Sequence, residues 1–255
     1  MLGVRSSCAV SAIGTGSRVM TIWNWIGQAA QSGAGAFSAL FGWAGGLVGG
    51  IADPTMRRQV AFSVALIALS AKMAKADGIV TAAEVAAFRR GFAVPPGEER
   101  NVARLFDLAR RDVAGFESYA RRVAAFYDDC CPLEDVLDAL FVIAKADGAV
   151  HEAEMTYLER VAAIFGFSDA DFERIAARHV VPEEGDPYLI LGAAREWSFD
   201  RLRRHYRALV VENHPDKAIA RGLPEEFIAV ANDRLAALNR AWERIEKERG
   251  RMASA

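Results

Sequence analysis

Apolar residues at three- and four-residue spacing predict helices over Arg100–Phe106 and Phe116–Tyr127. They sit between two similar halves. An apolar helix predicted over Arg57–Ala76 is followed by one over Ala82–Phe92, and the same order returns at Leu133–Ala146 and Glu152–Phe165. Phe172–His179 closes this set, with His179 in the last turn, where the helix dipole favours a cation. Residues 180–185, with Pro182 and acidic and glycine positions, read as a linker. Beyond it, Asp186 caps and Pro187 starts a short helix that Gly192 stops. The stretch Phe199–Asn213 places Leu202, Tyr206, Leu209 and Val210 on one face. Arg203 and Arg207 share a different face, with Arg204 beside them. Pro215 disfavours helical geometry at His214 and ends the run. After a loop over residues 217–224, a last helix from Pro224 to Arg249 buries Phe227, Val230, Leu235, Leu238, Ala241, Trp242 and Ile245 against Phe199–Asn213. The expected fold is all-α, with a helical domain at 57–180, a linker at 181–185 and an antiparallel helical hairpin within 186–255. His214 and Asp216 are expected on an exposed turn at the hairpin's tip.

The two halves share more than their order. Ala74-Lys75-Ala76-Asp77-Gly78 recurs as Ala144-Lys145-Ala146-Asp147-Gly148, and the match extends to Val80 with Val150 and Glu84 with Glu154. Gly78 and Gly148 suit left-handed caps at helix ends. Thr81 with Glu84 forms a capping box, and His151 with Glu154 takes the same places in the second copy. The valines can dock both turns into a core. Four carboxylates, Asp77, Glu84, Asp147 and Glu154, could also converge on a hard cation. The alternating acidic spacing of an EF-hand is absent, so capping is the favoured reading.

The first 56 residues carry a different pattern. From Ile22 to Ala52 no residue carries a formal charge, and the stretch holds three tryptophans and eight glycines. Gly42, Gly46 and Gly50 fall four apart, as do Gly45 and Gly49, the spacing that lets apolar helices approach closely in a bilayer. The length suffices for one span, and Arg57 and Arg58 just beyond it would hold the rest of the chain on the cytoplasmic face. A membrane anchor is expected, with a peripheral hairpin or a flexible linker as alternatives. The glycine ridge could also form a homodimer. Residues 1–19 are unlike the rest of the chain, and Met20 is expected to be the true start.

Charge changes this picture only locally. The chain's net charge of −2 gives no case for nucleic-acid binding, but residues 186–255 carry 13 Lys/Arg against 11 Asp/Glu. The basic C-terminal part favours an acidic protein partner. Cys8, Cys130 and Cys131 lack the paired spacing of a zinc site and are expected to be small packing residues in a reducing compartment.

The C-terminal part resembles a J domain, the DnaJ family module. The likeness rests on Pro187-Tyr188 through Leu191-Gly192, Tyr206-Arg207-Ala208-Leu209, His214-Pro215-Asp216-Lys217 and Asn239-Arg240-Ala241-Trp242. It implies that His214, Pro215, Asp216 and Lys217 engage a DnaK-type ATPase chaperone, and that Arg203, Arg207 and Tyr206 belong to the same partner-binding region. Glu212 and Asn213 depart from the basic and aromatic residues common before the signature. Residues 57–180, on their repeated acidic turns, resemble the TerB domain. The whole layout is similar to the DjlA-type co-chaperones. This implies a membrane-proximal co-chaperone with no enzymatic activity or cofactor of its own, its TerB-like domain recruiting a client or reading a stress signal. An adaptor that does not stimulate an ATPase and a metal-responsive sensor are the alternatives.

Overall fold

The structure, a computed structural model, describes residues 53–76, 97, 99–111, 115–127, 130–145, 148–179, 185–224 and 228–253. Every regular element among them is a helix: α1 Pro54–Ala76, α2 Glu99–Arg111, α3 Phe116–Phe126, α4 Cys130–Ala144, α5 Glu152–Ile164, α6 Asp169–His179, α7 Pro187–Leu191, α8 Phe199–Glu212, α9 Pro215–Arg221 and α10 Ile228–Ala253. The expected all-α class holds. The apolar segment Ile22–Ala52 with its glycine ridge, Met20, Cys8, the helix expected at Ala82–Phe92 and the turn residues Asp77, Glu84 and Asp147 all lie outside the described residues. No described helix is long and apolar enough to cross a membrane.

α1 is the centre of the first domain. Asp53 caps it, its Oδ1 accepting from the Thr55 N–H at 2.9 Å, and Pro54 occupies the first position, where no N–H is needed. Phe62, Leu66, Ile67 and Leu69 are fully buried, each contributing about 2–3 kcal/mol by leaving water. The helices α2 to α5 pack around α1. The Tyr157 hydroxyl donates to Leu69 O at 2.8 Å and ties α5 to this centre. The described part of the second repeat turn has the cap geometry its sequence implies. Gly148 takes φ 115°, its N–H donates to Lys145 O at 3.0 Å, and Val150 packs half-buried against the core. α4 starts at Cys130, three residues before the expected Leu133. Cys130 is exposed and Cys131 is half-buried, so Cys130 is not a packing residue.

The C-terminal helices build a second core from Tyr188, Ile190, Leu191, Leu202, Leu238, Ala241, Trp242 and Ile245. Asp186 Oδ1 accepts from the Tyr188 N–H at 3.0 Å, and Gly192 closes α7 at φ 61°. Ser198 caps α8. Asn213 meets Arg234, Tyr206 meets Asn239 and Phe199 meets Trp242, so α8 and α10 run antiparallel.

One expectation needs correction here. The segment after His214 is not a loop: Pro215–Arg221 is a helix, begun by Pro215 and closed by Gly222 at φ 109°. The described part of the last helix starts at Ile228, four residues after Pro224, while Phe227 lies outside the described residues. α9 and the start of α10 also reach out of the hairpin. Ala218, Leu223, Val230 and Ala231 belong to the first domain's core, so the two parts are packed together through shared apolar surface.

Candidate functional site

The His-Pro-Asp turn is held by caps on both sides. α8 ends because Asn213 leaves helical geometry, its N–H donating to Leu209 O at 2.8 Å and its side-chain Nδ2 donating to the same carbonyl at 2.8 Å. His214 is extended (φ −65°, ψ 136°) and serves as N-cap of α9, its Nδ1 accepting from the Asp216 N–H at 3.2 Å. In a neutral ring that bond puts the hydrogen on Nε2. Pro215 supplies a fixed φ at the first helical position. The side chains of His214 and Asp216 are 52% and 87% exposed, so the turn is rigid in its backbone and open at its polar atoms. Lys217 Nζ bonds Glu212 Oε2 at 2.9 Å across the turn.

Arg203, Arg204 and Arg207 are exposed on α8, and the Arg203 guanidinium lies 4.8 Å from the Phe199 ring centre. The arrangement presents a cationic helix face beside an oriented imidazole and carboxylate, which suits recognition of an acidic protein surface. Tyr206 has a different setting. Its ring stacks on Trp242 at 4.7 Å and its hydroxyl donates to Asn239 Oδ1 at 2.9 Å, so it fastens the hairpin. Of the four carboxylates weighed as metal ligands, only Glu154 is described. It is buried, and its Oε2 accepts from the His151 N–H at 2.9 Å as the capping box requires. Among the described residues no three His, Cys, Asp or Glu side chains are grouped to hold a metal ion.

Sequence reasoning missed a buried ionic cluster behind the turn. Glu134, Asp135 and Asp138 lie on α4, Arg174, Arg178 and His179 on α6, Arg221 on α9 and Arg234 on α10. Glu134 takes Arg174 at 3.1 Å and Arg178 at 2.6 Å. Asp138, fully buried, takes Arg178 at 3.2 Å, His179 Nε2 at 2.7 Å and Arg234 Nε at 2.5 Å. Burial alone would raise the Glu134 carboxyl, but Arg178, Arg234 and Arg174 outweigh it and hold it at about 2. Asp138 is likewise pushed up by burial and pulled well below the carboxylate range by Arg178 and Arg234. For Asp135 burial wins over Arg234 and Arg221, and its pKa is raised. His179 is therefore a last-turn residue, as expected, that also joins this cluster, stacked on Phe141 at 4.8 Å. One signal was available in the sequence: three acids at consecutive and four-residue spacing inside an otherwise apolar helix.

Residues 63–177 match the family described as tellurite resistance protein TerB. The chain is 28% identical over 226 residues to the co-chaperone protein DjlA of Photobacterium profundum, covering 76% of this chain and 79% of that one. It is 29% identical over 230 residues to the DjlA of Vibrio parahaemolyticus, covering 76% and 80%. With the DjlA of Vibrio cholerae it is 32% identical over 139 residues, covering 42% and 48%. No solved structure matches. The two longer alignments cover more of this chain than the matched TerB residues do. With an all-helical fold and a His-Pro-Asp turn between two antiparallel helices, the chain is similar to the DjlA-type co-chaperones of the DnaJ family.

Proposed function

We propose that the C-terminal module stimulates ATP hydrolysis by a DnaK-type chaperone while catalysing nothing itself. His214, Pro215, Asp216 and Lys217 would meet the partner, with Arg203 and Arg207 attracting its acidic surface. The observation that carries this reading is the turn itself: His214 and Asp216 are exposed, yet their backbone is fixed by caps before and after. A surface already in its bound shape loses little freedom on docking. The TerB domain would recruit a client or respond to a condition at the envelope. The uncharged N-terminal segment would confine both at the inner face of the membrane, raising effective concentration without new contacts.

A single-turnover ATPase assay with the cognate DnaK-type chaperone tests the central claim. The full chain should accelerate hydrolysis, and His214→Gln should reduce that acceleration about tenfold or more, as truncation of an interface anchor does. Absence of stimulation, or stimulation indifferent to His214→Gln, would favour an adaptor. Fractionation of cells into membrane and soluble pools tests the anchor: deleting residues 22–52 should move the chain to the soluble pool.

A further inference from the structure

The buried cluster does more than join two domains. Glu134 finds its counter-charges on α6, inside its own domain, while Asp138 is shared between Arg178 on α6 and Arg234 Nε of the J module. Asp135 is met from the J module by both arginines, Arg234 Nη2 at 2.8 Å and Arg221 Nη2 at 3.8 Å. These same two arginines turn their other nitrogens toward the residues just before His214. Arg221 Nη1 donates to Glu212 O at 3.1 Å and to Glu212 Oε1 at 3.4 Å. Arg234 Nη1 donates to Asn213 Oδ1 at 3.3 Å. Glu212 passes the link on to Lys217 within the signature. Each guanidinium is a rigid planar fork, so the α4 acids at one edge, Asp135 beside Arg221 and Asp135 with Asp138 beside Arg234, help to orient the other. The arginines and Asp135 are largely or wholly buried, where electrostatic contacts are screened little.

We infer that Glu212 and Asn213 are positioning residues that tie the His-Pro-Asp turn to the TerB domain through Arg221, Arg234 and Asp135. This rests on the stimulatory reading above. It gives a physical role to the two positions at which the chain departs from the residues common before a J-domain signature. Separating α4 from the J module would remove Asp135 from both forks and release the end of α8 and the start of α9. An event on the TerB domain, such as client binding, would thus reach the turn without touching it.

The test uses the full chain and the same ATPase assay with Asp135→Asn, Glu212→Gln and the double variant. Asp135→Asn keeps the side chain's volume, and Glu212 is exposed enough that its amide leaves the fold intact, which circular dichroism verifies. Saturating stimulation should fall about three- to tenfold in each single variant, and the double variant should be no worse than either. The half-saturating co-chaperone concentration, set mainly by the arginine face, should move less than about twofold. Unchanged saturating stimulation, additive losses, or a change confined to the half-saturating concentration would each overturn the coupling while the wild type still stimulates. A wild type that fails to stimulate would overturn the stimulatory reading and this one together.

Discussion

Gly222 shows how a single position fixes the two domains against each other. It closes α9 at φ 109°, and a β-carbon placed on it would stand 2.5 Å from Cβ of Arg58 on α1. Any side chain here meets both left-handed strain and a collision with backbone-proximal atoms of the other domain. Gly222→Ala should lower unfolding free energy by about 1–3 kcal/mol, seen as a reduced midpoint in guanidinium denaturation. An unchanged midpoint would mean that α1 and α9 are not held as described. The glycine's neighbour was not readable from local sequence, because Arg58 lies 164 positions earlier in the chain. The same limit hid Arg234. Its charge belongs on a solvated face by local pattern, and only the folded chain brings it against Asp138, 96 residues away.

At the scale of elements, α8 divides its work between faces. Leu202 is buried, and Tyr206 and Leu209 pack against the second core, while Arg203, Arg204 and Arg207 stay exposed. Exposed charges act over distance and are screened by salt. Arg203→Ala and Arg207→Ala should therefore raise the half-saturating concentration for ATPase stimulation by about three- to tenfold each at low salt. The penalty should shrink at high ionic strength, and saturating stimulation should stay near wild type. Loss of saturating stimulation in a folded variant would move these arginines from attraction to the stimulatory contact itself. α8 and α10 were legible because their apolar positions repeat over three turns or more. α9 was not, although Pro215 and Gly222 bracket it with the usual start and stop signals. A proline after a helix reads first as a stop, and seven residues are too few for a periodic pattern to correct that reading.

Across the whole molecule the repeat made the first domain's order visible, while the packing of the two domains came from residues far apart. That packing should respond to acid in a defined sense. Glu134 has an ordinary value of 4.5 and is held at about 2 in the folded chain. Between those values the unfolded chain binds more protons, so the stability Glu134 supplies is complete above 4.5 and is lost as pH falls toward 2. Asp138, also held low, acts in the same sense. Asp135 acts in the opposite one: its raised pKa means that its ionisation, as pH rises, costs stability in the folded chain. Groups facing this trio include Arg174, Arg178, His179, Arg221 and Arg234, and four of these five are arginines that stay charged throughout. The losses from Glu134 and Asp138 should therefore dominate below pH 4.5. Scanning calorimetry at about pH 7 and about pH 3 should show the wild type losing stability that Glu134→Gln has already lost at neutral pH, a difference on the order of 2–3 kcal/mol. Equal losses in both proteins over this interval would place the acid-sensitive groups elsewhere in the chain.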